Sequence, residues 1–304
     1  MTELIAAPAG APVVLAEADW TARRAAHHAR VDGWLDGHRE RRSRGQSHPV
    51  EDFLFEYYNQ RPYQLRRWHP GPGLVLAGAG AEELLDWRGY VRVADGVTLD
   101  TAAVLATRAP TVRWVRDLLA ATADRPGFFG CFGLHEWAMV YRQGEEDRRH
   151  PGLPLRLPAD EVAAVVEERG VRCGHVDAFR FFTPAARPLN VLQPTRADQQ
   201  ALEQPGCLHA NMDLYKWAYK LSPLVPSDLV ADAFALAREI RVLDMRASPY
   251  DFTALGLEPV PVETAEGRAA YAAAQRDFAV RSAPLRQRLL EVLDALAAAC
   301  PPAR

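Results

Sequence analysis

Apolar residues recur at helical spacing through residues 18–44, ADWTARRAAHHARVDGWLDGHRERRSR. Trp20, Ala25, Val31, Trp34 and Leu35 stand among charged neighbours, and Gly45 follows as a stop. A helix of that length presents an apolar stripe that other elements must cover. The rest of the chain supplies further helices. Helical patterns fall at 110–122, where Trp114, Val115, Leu118 and Leu119 are apolar, in LHEWAMVYR from 134, and in CLHANMDLYKWAYKL at 207–221. PSDLVADAFALAREIRVLDMRAS follows with Ser227 placed as a cap, and the last helical stretch runs from Thr264 to Ala299, interrupted at Pro284. A Ser-His-Pro turn at 47–49 opens the short aromatic helix VEDFLFEYYNQ, which Pro62 ends.

Extended structure is expected in two places. YVRVADGVTLD at 90–100 alternates and contains Asp95-Gly96, the pattern of a short hairpin. LPLRL, ADEVAAVVEERG and VRCGHVDAFRFF read as strand, helix, strand between 153 and 182. The expected class is mainly α (α+β): one helix-rich domain over 18–304 with a strand–helix–strand insert and a hairpin. A loose arm at 1–17 precedes it, and the Pro- and Gln-rich stretch 183–206 reads as a hinge.

Composition narrows the function classes. A hydrophobic fraction of 48% with 25% charged residues excludes global disorder. No apolar run approaches the roughly 18–20 residues that span a bilayer. The opening segment has no basic stretch and carries Glu3, Glu17 and Asp19, so it does not read as a signal peptide, and a cytoplasmic location is expected. Cys131, Cys173, Cys207 and Cys300 are widely separated without a C-x-x-C pair, which argues against a zinc ribbon or a disulfide framework. A net charge of −3 gives no global basic field for nucleic acid, although ten arginines against six acids between Arg23 and Arg67 offer a local patch. The motifs G-x-S-x-G, G-x-G-x-x-G and the P-loop are all missing, which lowers serine hydrolase, Rossmann and kinase readings.

Polar and aromatic residues gather in five segments. Ser47-His48-Pro49-Val50-Glu51-Asp52 places a histidine three residues before a carboxylate at a helix start. His135 and Glu136 follow the apolar, glycine-punctuated GFFGCFG, where desolvation would shift their pKa values towards acid–base work. His175-Val176-Asp177 reads as a strand with His175 and Asp177 on one face and Arg180 pointing away. His209 and Asp213 stand one helical turn apart, as do Met212 and Lys216, with Asn211, Tyr215 and Trp217 beside them. The fifth group, Arg238, Glu239, Asp244 and Arg246, reads as internal ion pairing.

The stretches RRSRGQSHPVEDFLFEYY, QLRRWHPG, GCFGLHEWAMVYR, HVDAFRFFTPAARPLN, EQPGCLHANMDLYKWAYKLSP and AREIRVLDMRASPYD, over about residues 40–255, resemble a family of actinobacterial proteins commonly labelled 3-methyladenine DNA glycosylase. The resemblance implies hydrolysis of the N-glycosylic bond of an alkylated purine, with DNA containing alkylated bases as partner and no cofactor, membrane or obligate protein partner. On that expectation Tyr57, Tyr58, Trp137, Tyr215 and Trp217 hold the base, with Arg180, Asn211 and Lys216 adding polar contacts. Asp213 or Glu136 orients water or stabilises positive charge on the sugar, and His135 or His209 assists proton transfer. Arg41, Arg42, Arg44, Arg66 and Arg67 contact phosphates.

The residues also admit a His/carboxylate metal-dependent enzyme acting on a small molecule, a non-haem iron oxygenase or a metallohydrolase with iron or zinc. His48, Glu51, His135, His175, His209 and Asp213 are then the candidate ligands. A non-enzymatic ligand-binding protein is the third reading.

Overall fold

The computed structural model describes residues 12–148, 150 and 152–299. Residues 1–11 of the expected arm, and Cys300, lie outside the described residues. Two compact units emerge: unit 1 is Met1–Asp117, Leu214–Ala235 and Leu285–Arg304, and unit 2 is Leu118–Asp213 and Leu236–Pro284. Both are built mainly of α-helix, as the helical spacing requires, and among the described residues no helix is long and apolar enough to cross a membrane.

Unit 1 holds the only sheet among the described residues, in the order β1 (Val13–Leu15), β2 (Leu74–Leu76), β4 (Gly96–Leu99), β3 (Tyr90–Val93). β1 pairs parallel with β2, so residues 13–15 of the expected arm belong to the fold. Parallel pairing with a strand some sixty residues away leaves no local signal in the sequence. β3 and β4 form the expected hairpin, but Val93 pairs with Gly96, so Ala94 and Asp95 make the turn. Gly96 serves the strand instead: its φ is 144°, and a Cβ there would lie 2.0 Å from the Leu76 carbonyl oxygen.

The long helix Glu17–Ser43 follows β1 and buries Trp20, Val31 and Leu35. Trp20 Nε1 donates to the Ala77 carbonyl at 2.9 Å, tying the helix to the end of β2. The aromatic helix covers only Phe53–Tyr57, and Pro62 starts a second short helix, Pro62–Arg66, instead of ending the first. Proline fits there because the first helical N–H has no intrahelical partner to lose. The helix expected from 110 begins at Thr101, where Asp100 Oδ1 accepts the Ala103 N–H at 2.9 Å.

In unit 2 the expected strand–helix–strand keeps its helix, Ala159–Arg169, while its flanks make isolated bridges, Leu155 with Tyr250 and Val171 with Asn190. His175-Val176-Asp177 is not a strand. His175 caps a short helix, Val176–Phe179, because its Nδ1 accepts the Ala178 N–H at 3.2 Å. The stretch read as a hinge, 183–206, lies wholly within unit 2 and includes the short helix Gln199–Leu202. Two of the remaining helices match their expected spans closely, Leu208–Lys220 and Ser227–Arg246. The last, Ala265–Ala298, runs through Pro284 without interruption. One missing hydrogen bond is tolerated where buried Tyr271, Phe278, Leu289 and Leu293 anchor the flanking turns.

Candidate functional site

Unit 2 gathers three histidines and four carboxylates from distant parts of the chain. Gly133, at φ 70°, turns the backbone into the helix Leu134–Ala138, which carries His135 and Glu136. A Cβ on Gly133 would stand 3.3 Å from the Tyr271 ring, so the turn also depends on close approach. His209 opens the helix Leu208–Lys220 with Asp213 one turn on, and Arg241 and Asp244 lie on Ser227–Arg246.

These side chains form two adjacent groups. In the first, His135 Nε2 lies 2.9 Å from Asp244 Oδ1, and Arg241 Nη1 donates to Asp244 Oδ2 at 3.1 Å and to Glu136 Oε1 at 3.2 Å. His209 Nε2 stands 3.9 Å from Asp244 Oδ2. In the second, His175 Nε2 is 3.2 Å from Asp213 Oδ2 and 3.8 Å from Glu203 Oε1, while Gln199 Nε2 donates to Glu203 at 2.6 Å. With its Nδ1 accepting from Ala178, the neutral His175 ring carries its proton on Nε2. His209 lies between the groups, edge-on to His135 at 4.4 Å and stacked on His175 at 5.2 Å and 24°.

Burial sets the electrostatics. His209 is pushed well below the ordinary histidine value by desolvation, helped by its neighbour His135, and is neutral at physiological pH. For His135 desolvation also acts downward, but the Asp244 carboxylate beside it outweighs that and raises its pKa. Each group is a candidate cation site: donor atoms of His135, Glu136, His209 and Asp244 lie within 4.8 Å of one another, as do those of His175, Glu203 and Asp213.

His135, His175, His209 and Glu203 line a cavity of about 410 Å³ together with Cys131, Cys173, Cys207, Phe128, Leu192 and Tyr271. All three thiols are free, and burial pushes Cys173 up to about 12.

The expected catalytic residues Asp213, Glu136, His135 and His209 are therefore brought together. The expected metal set is only partly assembled, because His48 and Glu51 belong to unit 1. There His48 Nδ1 accepts the Val50 and Glu51 N–H groups and so caps a turn. The expected base-binding aromatics also divide. Tyr57, Tyr58 and Tyr215 pack on one another in unit 1, and Trp217 packs there on Trp114. Trp137 belongs to unit 2 but is fully buried, with Nε1 bonded to the Ala247 carbonyl, which leaves no ring face for a base. Asn211 is buried too and donates to the Pro205 carbonyl at 2.9 Å. Arg180 is exposed over the Phe181 ring, and Lys216, in unit 1, sits over Trp217.

The expected DNA-binding arginines are mostly engaged with carboxylates of unit 1. Arg41 pairs with Asp52, Arg44 with Glu40 and Arg66 with Asp32, and Arg67 stacks on Trp87. Arg42 is exposed and lines a groove of about 1210 Å³ with Arg66 and Arg67, joined by Arg24, Arg39 and Arg61.

Four contributors escaped sequence reading: Glu203, Gln199, Arg241 and Tyr271. A Glu four residues after a Gln, just ahead of Pro205 and the His209 helix, was the available signal for the first two. No known family model matches the chain, and no curated protein or solved structure matches it either.

Proposed function

We propose that this protein is a metal-dependent hydrolase acting on a small molecule in the unit 2 cavity, with His175, Glu203 and Asp213 holding a divalent cation. The carrying observation is the second group: one imidazole and two carboxylates, each at most 3% exposed, have donor atoms within 4.8 Å of one another. Two buried carboxylates that close repel, and a divalent cation offsets the repulsion and the lost solvation together. Ligands bound at about 2.1 Å around one ion lie roughly 3–3.5 Å apart, close to the 3.2 Å between His175 Nε2 and Asp213. A cation there takes the place of the Nε2 proton.

In the first group Arg241 already supplies positive charge between Glu136 and Asp244, which suits that group to holding His135 and His209 in position. When bound, the ion polarises a substrate carbonyl or a water molecule. His209, neutral and stacked on His175, would offer a lone pair as a general base, and Asp244 orients the His135 ring through its Nε2. The cavity, of a size that suits small-molecule ligands, excludes bulk water around them.

Elemental analysis of protein purified without chelator and without a His-tag tests this. About one zinc, manganese or iron per chain is expected, lost in His175→Ala and in Asp213→Asn. Protein that stays metal-free after incubation with each ion overturns the reading.

Cleavage of the glycosylic bond of an alkylated purine is the second reading, supported by the arginine-lined groove of unit 1. It requires free base to be released from alkylated DNA, and affinity that falls when Arg42 and Arg67 are reversed to Glu.

A further inference from the structure

Tyr271 is fully buried, lines the same cavity, and its hydroxyl has no hydrogen-bond partner among the described residues. A buried phenol normally finds a partner, because an unmatched hydroxyl forfeits its solvation for nothing in return. Its neighbours leave it unmatched, and the amide oxygen of Gln275 is likewise without a partner among the described residues. Gly133 approaches the ring closely and brings no side chain. Gln275, one turn further along the same helix, turns its amide nitrogen to Cys131 Sγ at 3.1 Å and to the Gly206 carbonyl at 2.5 Å. The remaining wall is mixed: Phe128, Leu192, Leu202, Leu208 and the three thiols form its apolar part, and Arg125, Arg172, Gln204, Glu203 and the histidines its polar part.

We infer that Tyr271 is the residue that recognises the ligand of this cavity, its hydroxyl donating a hydrogen bond to the carbonyl oxygen of a small, neutral, largely apolar molecule such as an amide. The apolar part of the wall takes the body of the ligand, and the Tyr271 O–H supplies direction. A neutral carbonyl oxygen accepts the Tyr271 O–H without needing a counter-charge from a wall that carries both signs, Glu203 with Arg125 and Arg172. The choice of ligand deepens the hydrolase reading, because an amide carbonyl is a group that hydrolysis attacks. The recognition itself does not require a bound ion.

The test is Tyr271→Phe, probed with benzamide and, as an apolar isostere, ethylbenzene, by ligand-observed NMR on the full chain. Benzamide is expected to bind the parent protein and to bind the variant about tenfold more weakly, the loss of one hydrogen bond to a ligand. Ethylbenzene is expected to bind both equally. A second readout separates recognition from structural support. Removing an unmatched hydroxyl leaves the thermal midpoint unchanged or raises it, by about 2 °C or more. Equal benzamide affinity in the two proteins, no benzamide binding at all, or a lowered midpoint in Tyr271→Phe overturns the inference. Metal content, measured on the same samples, is expected to be unchanged in the variant. A metal-free parent that still distinguishes benzamide through Tyr271 sinks the hydrolase reading and leaves the recognition standing.

Discussion

Asp52 in unit 1 and Asp213 in unit 2 are buried to the same degree, each 1% exposed, and each faces a histidine. Around Asp52 several donors converge: His38 Nδ1 at 2.9 Å, Arg41 Nε at 3.0 Å, the His48 N–H at 2.8 Å, and Arg41 Nη2 beside them. These partners lie within fourteen residues along the chain, and together they knot the end of the long helix to the loop that follows. Asp213 instead meets His175 from 38 residues away, at 3.2 Å, with a second carboxylate, Glu203, close by. A carboxylate ringed by donors holds a fold together. A carboxylate set close to a second one is where a cation would be held, and on the proposed reading that contrast gives one aspartate to architecture and the other to chemistry.

The largest effect that would break the contrast is on stability at Asp52. Replacing it with Ala strands Arg41 and His38 and should cost about 3–5 kcal/mol in urea denaturation, while metal content stays at the parent level. A loss of metal in this variant would erase the distinction between the two aspartates. Next comes metal linkage. Zinc at 100 times its dissociation constant should stabilise the parent by about 2.7 kcal/mol in calorimetry, and Glu203→Gln should lose most of that gain.

The third effect is acid sensitivity. Burial pushes the Asp52 carboxyl up, but hydrogen bonds from Arg41, His38 and the His48 N–H outweigh it and bring its pKa down to about 2 from the ordinary 3.8. A depressed carboxyl contributes stability that is complete above the ordinary value and is lost as pH falls towards the folded one. About 2 kcal/mol should therefore disappear between about pH 4 and 2. Asp52→Asn should flatten that limb of the stability curve, and an unchanged limb would remove the knot from the account. The smallest effect is local. Gly133→Ala puts a Cβ at φ 70° and against Tyr271, and should cost roughly 1–2 kcal/mol in thermal melts.

Much of this was legible from residues alone. The helical spacing of 18–44 and 207–246 set the class, since an apolar stripe at that period has few other ways to be buried. His135, Glu136, His209 and Asp213 stood out because ionisable groups inside apolar segments need a reason to be there. Glu203 did not, because the surrounding prolines and glutamines resemble a linker and nothing local reveals that Gln199 holds it. Asp244 reads correctly as an ion-pair partner, yet it pairs with Arg241 and His135, while Arg246 Nε turns to the Glu258 carbonyl. His175-Val176-Asp177 misleads because a three-residue alternation fits a strand and a capped helical turn equally well; the cap bond to Ala178 decides it. The aromatic residues were grouped by type, and type carries no information about which unit a side chain joins.

Unit 2 is assembled from two separate lengths of chain, 118–213 and 236–284. On the ribosome, His135, His175, Glu203, His209 and Asp213 emerge first, and Arg241, Asp244 and Tyr271 follow only after residues that belong to unit 1. A nascent chain ending near Ala235 thus carries its histidines and acids without the arginine and aspartate that balance them. The network that holds His135, and the Tyr271 wall of the cavity, are therefore completed late in synthesis, after most of the polypeptide has been made.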